Sequence, residues 1–313
     1  MAEEDPKRDK STASRRQVLM AGGAAVAVVG AGGVLASNAL AEEMPGKTQG
    51  AGDSDGVGSC YRLSSEAIEG PYYIDADKIR TDVTEDREGI PMTLTIKVID
   101  ADTCKPVRNA AVDIWHCDAL GIYSGYEAVS TSPGGGIPTG MPSGTPTALP
   151  TDGTGGGGMH QEPTDDERYL RGTWRTDHQG RVRFTTIFPG WYPGRAVHIH
   201  TKVHVDGKWT EDGYEGGHTC HTGQFYFEEE AVLASAELEP YSTNTATRTT
   251  LTEDMIYDQS GATGGLLTLH YNKKKIARGV AASITVAVEP EATHDGDDAG
   301  MPGIPSSTSS AAS

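Results

Sequence analysis

Alternation between apolar and polar residues is the dominant pattern in this chain. In Met92 to Ile99 (MTLTIKVI), Leu94, Ile96 and Val98 fall on one face and Thr93, Thr95 and Lys97 on the other, the period of two expected of a half-buried strand. Ala111 to Trp115, Arg181 to Thr186, Val197 to Val205, Gly223 to Phe227, Leu266 to Leu269 and Ala282 to Val288 behave similarly, separated by turn dipeptides such as Gln179-Gly180 and Asp206-Gly207. Short strands punctuated by turns predict an all-β fold, an antiparallel β-sandwich with long loops and few short helices. The best helix candidate is Ala231 to Leu238, opened by the acidic run Glu228 to Glu230.

Three stretches break the pattern: 42–57, 129–163 and 291–313. Each is rich in Gly, Ser, Thr, Pro or Asp and too poor in apolar residues to offset the entropy of ordering its backbone, so disorder is expected. Strand-like sequence resumes on both sides of 129–163, which makes it an excursion within one domain of residues 58–290. Residues 1–41 stand apart. Ser14-Arg15-Arg16-Gln17-Val18-Leu19-Met20 precedes an uncharged Ala/Gly/Val run from Ala21 to Ala36, and Ala39-Leu40-Ala41 offers a small-x-small cleavage site. That is the form of a twin-arginine export signal, read by the Tat translocase. Its many glycines make a poor permanent anchor, so cleavage, no stable membrane association afterwards, and a secreted or periplasmic location are expected.

Composition narrows the partners. Over 313 residues, 44 acidic side chains outnumber 26 basic ones for a net charge of −18; removal of 1–41 leaves the rest one unit more negative. Such a balance argues against nucleic acid and against anionic membrane surfaces, both of which need clustered Lys and Arg, and favours a small ligand. The four cysteines, Cys60, Cys104, Cys117 and Cys220, include no C-x-x-C pair. In an oxidising compartment two disulfides are expected. Three connectivities are possible; Cys60 with Cys104 and Cys117 with Cys220 is the expected set, because the latter two flank the chemical motifs.

The most informative segment is Gly190-Trp191-Tyr192-Pro193-Gly194-Arg195-Ala196-Val197-His198-Ile199-His200. Residues two apart on a strand share a face, so His198 and His200 point the same way. Two adjacent imidazoles without a shared partner are costly to bury, which points to a metal. No third His or close carboxylate completes a zinc set. Tyrosines frame the pair instead, Tyr192 before it and Tyr123 at the exit of another strand. A phenol with a pKa of about 10 binds as phenolate only to a strong Lewis acid, and ferric iron is the common one. Two Tyr and two His leave a net charge of +1 on it.

At these residues the chain resembles the intradiol ring-cleavage dioxygenases, of the protocatechuate 3,4-dioxygenase and catechol 1,2-dioxygenase type, in their exported single-domain branch. The resemblance runs from about Cys60 to Val288 through Glu69-Gly70-Pro71-Tyr72-Tyr73, Val112-Asp113-Ile114-Trp115-His116, Leu120-Gly121-Ile122-Tyr123-Ser124, Leu170-Arg171-Gly172 and Phe188-Pro189-Gly190-Trp191-Tyr192. It implies a non-haem Fe(III) held by Tyr123, Tyr192, His198 and His200, with catechol and O2 as reactants and cis,cis-muconate-type products. It implies a catalytic Arg195, a Tyr192 displaced by substrate, and substrate contacts from Tyr72, Tyr73 and Gln224; Trp191 is a further candidate pocket residue, although a strand aromatic is more often core. Tyr192 and His198 are only six apart, so the loop shaping the entrance is short, and there is no room before Cys60 for a helical dimerisation segment. No carbohydrate-binding module is expected.

Two other readings compete. Val98 to Val112 with Thr176 to Tyr192 also resembles the prealbumin-like β-sandwich of carboxypeptidase regulatory domains, a non-catalytic binding module that needs neither Tyr123 nor the His pair. A zinc hydrolase using His198 and His200 is the other. Among remaining histidines, His116, His204, His218 and His221 are expected to be supporting or surface residues, and Lys273-Lys274-Lys275 a polar turn.

Overall fold

A computed structural model describes residues 60–75, 78–130, 161–211, 213–257 and 264–294. The expected export signal, the 42–57 segment and most of the tail lie outside the described residues, as does 131–160 of the expected excursion. Its margins belong to the domain: Glu127–Ser130 forms a helical turn, α1, and the Gln161 amide donates to the Pro71 carbonyl at 3.1 Å. No helix among the described residues is long and apolar enough to cross a membrane.

The alternating segments are strands. β1 (Pro91–Asp100), β4 (Arg181–Ile187), β9 (Thr268–Tyr271) and β10 (Val280–Val288) form one sheet in the order β4-β1-β10-β9, and β2 (Ala111–Trp115), β3 (Arg171–Arg175), β5 (His198–Val205) and β8 (His218–Tyr226) form another in the order β3-β2-β5-β8. A small hairpin pairs β6 (Lys208–Trp209) with β7 (Tyr214–Glu215). Leu94, Ile96 and Val98 of β1, Phe184 of β4 and Val286 of β10 meet Val112, Ile114, Ile199, Val203 and Phe225 of the second sheet in one apolar cluster. This all-β sandwich is antiparallel except for β1 and β10, which pair in parallel from Met92 opposite Val280 to Asp100 opposite Val288. A parallel pair needs a long crossover, and here almost the whole domain supplies it. The helix α2 spans Glu229–Ala236, two residues earlier than the pattern suggests. β3 and the start of β8 escape the alternation test because Arg171-Gly172-Thr173 and His218-Thr219-Cys220-His221 mix polar side chains into buried positions.

Strand β5 is covered on both sides, with only His204 partly exposed. Its Ile199 and Val203 face the inter-sheet core. The opposite face lies beneath an arm of residues 60–75 and a second cluster of Tyr72, Tyr73, Trp115, Cys117, Tyr123, Tyr126 and Tyr192. The arm starts against the first sheet, where the Ser64 amide donates to Ala287 at 3.0 Å, and crosses to the second, where the Ala67 amide donates to Thr222 at 2.9 Å.

Cys60 and Cys104 form a disulfide closing 44 residues. The expected Cys117–Cys220 bond is corrected: both thiols are free and buried, Cys220 in the inter-sheet core and Cys117 in the aromatic cluster, so packing separates them. Chain-entropy reasoning for a loop of this length gives about 4 kcal/mol as the stabilisation from the one disulfide. Cys104→Ser is expected to lower the unfolding free energy in urea by about 2–4 kcal/mol, an effect that a reducing agent reproduces in the wild type.

Candidate metal centre

The register of β2 and β5 sets Trp115 opposite His200 and Asp113 opposite Lys202, so alternate residues of both strands line the face under the arm. Two turns bring in the phenols. Asp118 Oδ1 accepts the Leu120 and Ile122 amides at 2.8 and 3.0 Å and curls the chain into Tyr123. The Gly190 amide donates to the Asp118 carbonyl at 2.9 Å, tying that turn to the segment carrying Tyr192. Gly121, at φ +87°, lets the two turns touch: a Cβ there would lie 2.3 Å from the Trp191 carbonyl oxygen.

The donor atoms converge. His198 Nε2 lies 3.0 Å from His200 Nε2 and 3.2 Å from the Tyr192 hydroxyl. The Tyr123 ring centroid is 5.8 Å from that of Tyr192 and 6.2 Å from that of His200. His198 Nδ1 sits 2.6 Å from the Ala196 carbonyl; donation there fixes the tautomer with a lone pair on Nε2, the form a metal requires. Trp115 stacks on His200 at 4.9 Å and 13°. On the other side, Gly70, at φ +83°, brings backbone so close that an added Cβ would meet His200 Cε1 at 3.2 Å.

Electrostatics agree with a site for neutral imidazoles. Burial and the charge of Arg195 push His198 down to about 3, and burial with the neighbouring His198 and Arg195 holds His200 well below its usual range. Burial raises both phenols, so neither ionises without a cation. The Tyr123 hydroxyl and His200 Nδ1 are buried without a hydrogen-bond partner. Two ligands about 2.1 Å from one ion at right angles are separated by about 3 Å, the spacing of the imidazole pair. The four side chains therefore fit a hard trivalent ion. Among the described residues no group of three His, Cys, Asp or Glu could hold a metal, so a metal bound at the histidine pair would need the phenols as well.

Arg195 is buried beside them. Its Nε donates to Asp254 Oδ2 at 3.0 Å, and its Nη2 to Gln224 Oε1 and, at 3.1 Å, to the Tyr226 hydroxyl. Nη1 has no partner among the described residues and remains an available donor. Asp254 also accepts the Ala196 amide at 2.7 Å, and its other oxygen takes the amides of Ile256 and Tyr257.

A family profile described as Dioxygenase matches residues 68–134. The chlorocatechol 1,2-dioxygenases of Cupriavidus pinatubonensis and Pseudomonas putida are 28% and 26% identical over 189 and 185 residues, 53% of this chain and 55% of each relative. The chain thus spans about half the length of these curated relatives. The solved structure of an intradiol ring-cleavage dioxygenase from Tetranychus urticae, 29% identical, covers 76% of this chain with all of its own length at a TM-score of 0.59. These similarities support the intradiol ring-cleavage dioxygenase family.

Within the site the sequence-predicted residues divide. Tyr123, Tyr192, His198, His200 and Arg195 come together. Tyr72 joins them, its ring centroid 4.9 Å from that of Tyr123. Tyr73 instead directs its hydroxyl to Asp113 at 3.2 Å and to Asp75 at 3.3 Å. Gln224 is committed to Arg195, the Tyr226 hydroxyl and the Ile68 carbonyl, so it brackets the arginine. Trp191 is corrected from a pocket residue to a core residue: it packs in the inter-sheet cluster with its indole N–H on the Ala246 carbonyl at 2.9 Å. The other histidines have their own partners, His116 with Cys117 O and Thr186, His221 with Glu66, His218 with Pro290 O and His204 with Asp113.

The sequence reading missed Asp254, for which an acidic residue 59 positions from Arg195 gives no signal. Asp254→Asn leaves a buried guanidinium without its counter-charge. The expected result is a stability loss of roughly 3–5 kcal/mol and a fall in kcat with metal content retained, checked by chemical denaturation and metal analysis. His204 supplies a pH test. Burial opposes its charge, but Asp113 outweighs burial and raises its pKa, with Lys202 opposing and Asp75 assisting. Stabilisation is therefore full below the unfolded value of about 6.5 and lost as pH rises through the folded one. The stability difference between wild type and His204→Gln should shrink between pH 6 and pH 9.

Proposed function

We propose that the chain is a non-haem Fe(III) intradiol dioxygenase, exported by the twin-arginine route, that cleaves catechol-type aromatics between the hydroxylated carbons with O2 to give cis,cis-muconate-type products. The carrying observation is the convergence of two neutral imidazole Nε2 atoms 3.0 Å apart, one of them 3.2 Å from the Tyr192 hydroxyl, beside the unpartnered Tyr123 hydroxyl. Tyr123, Tyr192, His198 and His200 would hold the iron, which when bound would supply Lewis acidity toward a catecholate.

The protein's own groups do the rest. Arg195 presents Nη1 to negative charge developing on the substrate, held in aim by Asp254, Gln224 and Tyr226. Tyr72, Trp115 and Tyr126 form an aromatic wall, each no more than 5% exposed, which excludes water and strengthens every charge interaction inside. The Cys60–Cys104 disulfide supports export to an oxidising compartment.

Purified protein loaded with iron is expected to bind one Fe per chain and to be reddish from tyrosinate charge transfer. Tyr123→Phe and His200→Ala should lose the colour and at least 100-fold in catechol-dependent oxygen uptake, on the scale of losing a principal catalytic group. Product analysis should give intradiol cleavage. A colourless wild type with stoichiometric zinc would favour the hydrolase reading, and one that takes up neither metal would favour a binding module.

A further inference from the structure

A second buried arginine shares the face that carries the histidine pair. Arg171 of β3 stands opposite Trp115 in the ladder, the residue stacked on His200, and is 6% exposed. All three arms of its guanidinium are engaged. Nε donates to Ser124 Oγ at 2.9 Å, Nη1 to the Tyr72 carbonyl at 2.7 Å and Nη2 to the Ser124 carbonyl at 2.7 Å. These acceptors belong to the arm that carries Tyr72 and to the turn that carries Tyr123.

Every one of those acceptors is neutral, and no described carboxylate forms an ion pair with Arg171. Arg195 differs, since Asp254 offsets its charge within the same pocket. Burying a guanidinium among neutral dipoles is unfavourable unless anions sit nearby. Burial lowers its pKa to about 10, which still leaves it a cation at neutral pH. With Arg195 paired to Asp254, Arg171 is a buried cation on this face that has no ion pair among the described residues.

We propose that Arg171 is a positioning residue that sets the net positive charge of the pocket, fixing the backbone beside Tyr72 and Tyr123 while favouring dianionic over neutral occupants. The inference rests on reading the site as a ferric catechol pocket. Two tyrosinates leave a trivalent ion at +1 before substrate arrives, and the charge of Arg171 adds to it in attracting an anionic occupant.

The test is the affinity of the iron-loaded protein for 4-nitrocatechol, followed by its visible spectrum, with 4-nitro-1,2-dimethoxybenzene as the neutral analogue. Arg171→Met should weaken 4-nitrocatechol tenfold or more, with iron content and the neutral analogue unaffected. Arg171→Lys, which keeps the charge, should restore affinity to within about threefold. Ser124→Asp keeps the arginine but neutralises it, and should weaken 4-nitrocatechol as Arg171→Met does; Ser124→Ala should not. This second pair decides the matter if Arg171→Met does not fold. Equal 4-nitrocatechol affinity in wild type, Arg171→Met and Ser124→Asp overturns the role of Arg171 alone, as does an Arg171→Lys variant no tighter than Arg171→Met. A wild type that binds neither trivalent metal nor 4-nitrocatechol overturns the ferric reading, and the role of Arg171 falls with it.

Discussion

Burial of β5 on both faces is the constraint from which the site follows. Ile199 and Val203 secure one face in the inter-sheet core, which commits His198 and His200 to the other. There they are 2% and 4% exposed. Neutral imidazoles at that depth need partners for both ring nitrogens. His198 satisfies Nδ1 on the Ala196 carbonyl, and its Nε2 meets only His200 and the Tyr192 hydroxyl. A strand that simply had to fold would not retain such a pair. An ion that accepted both lone pairs, as proposed, would resolve the conflict, and the tyrosine turns stand where they could complete its surroundings.

Charge is arranged with the same economy. The chain as a whole is strongly acidic, with a net charge of −18, so the anionic aromatic of the proposed function would approach against the general field. Within the pocket the signs reverse. Arg195 is neutralised yet aimed by Asp254, whereas Arg171 keeps its charge and lends its donors to two backbone segments. One arginine gives direction and the other gives potential, a division possible because a guanidinium can satisfy its geometry with carbonyls as readily as with a carboxylate.

Much of this was legible in the sequence. Period-two alternation located β1, β2, β4 and β10 closely, because each has one face on an apolar core. The His-x-His spacing and the flanking tyrosines picked out side chains that do converge, since strand geometry alone sets side chains two apart on one face. What escaped detection depends on long-range contacts. β3 carries Arg171 and Thr173 at buried positions, so an apolar/polar alternation does not reveal it. Asp254 meets Arg195 only after the chain has passed through β5, β8 and α2. The Cys117–Cys220 expectation failed because nearness to motifs along the chain says nothing about which apolar cluster each thiol enters. Trp191 followed the same logic: its neighbour Tyr192 turns to the site, and the indole turns to the core.

The arm over the site is pinned at both ends. Cys60 is bonded to Cys104 at its start; beyond Tyr73, Ile79 bridges to Thr173 and the Thr173 amide donates to the Lys78 carbonyl at 2.9 Å. Between the pins, Gly70 rests against His200 and the Tyr72 carbonyl is held by Arg171. A strap fixed in this way can bow but cannot swing clear. Lifting the arm off the histidine pair then means breaking these contacts in turn, a local unfolding of the strap and not the swing of a hinged lid.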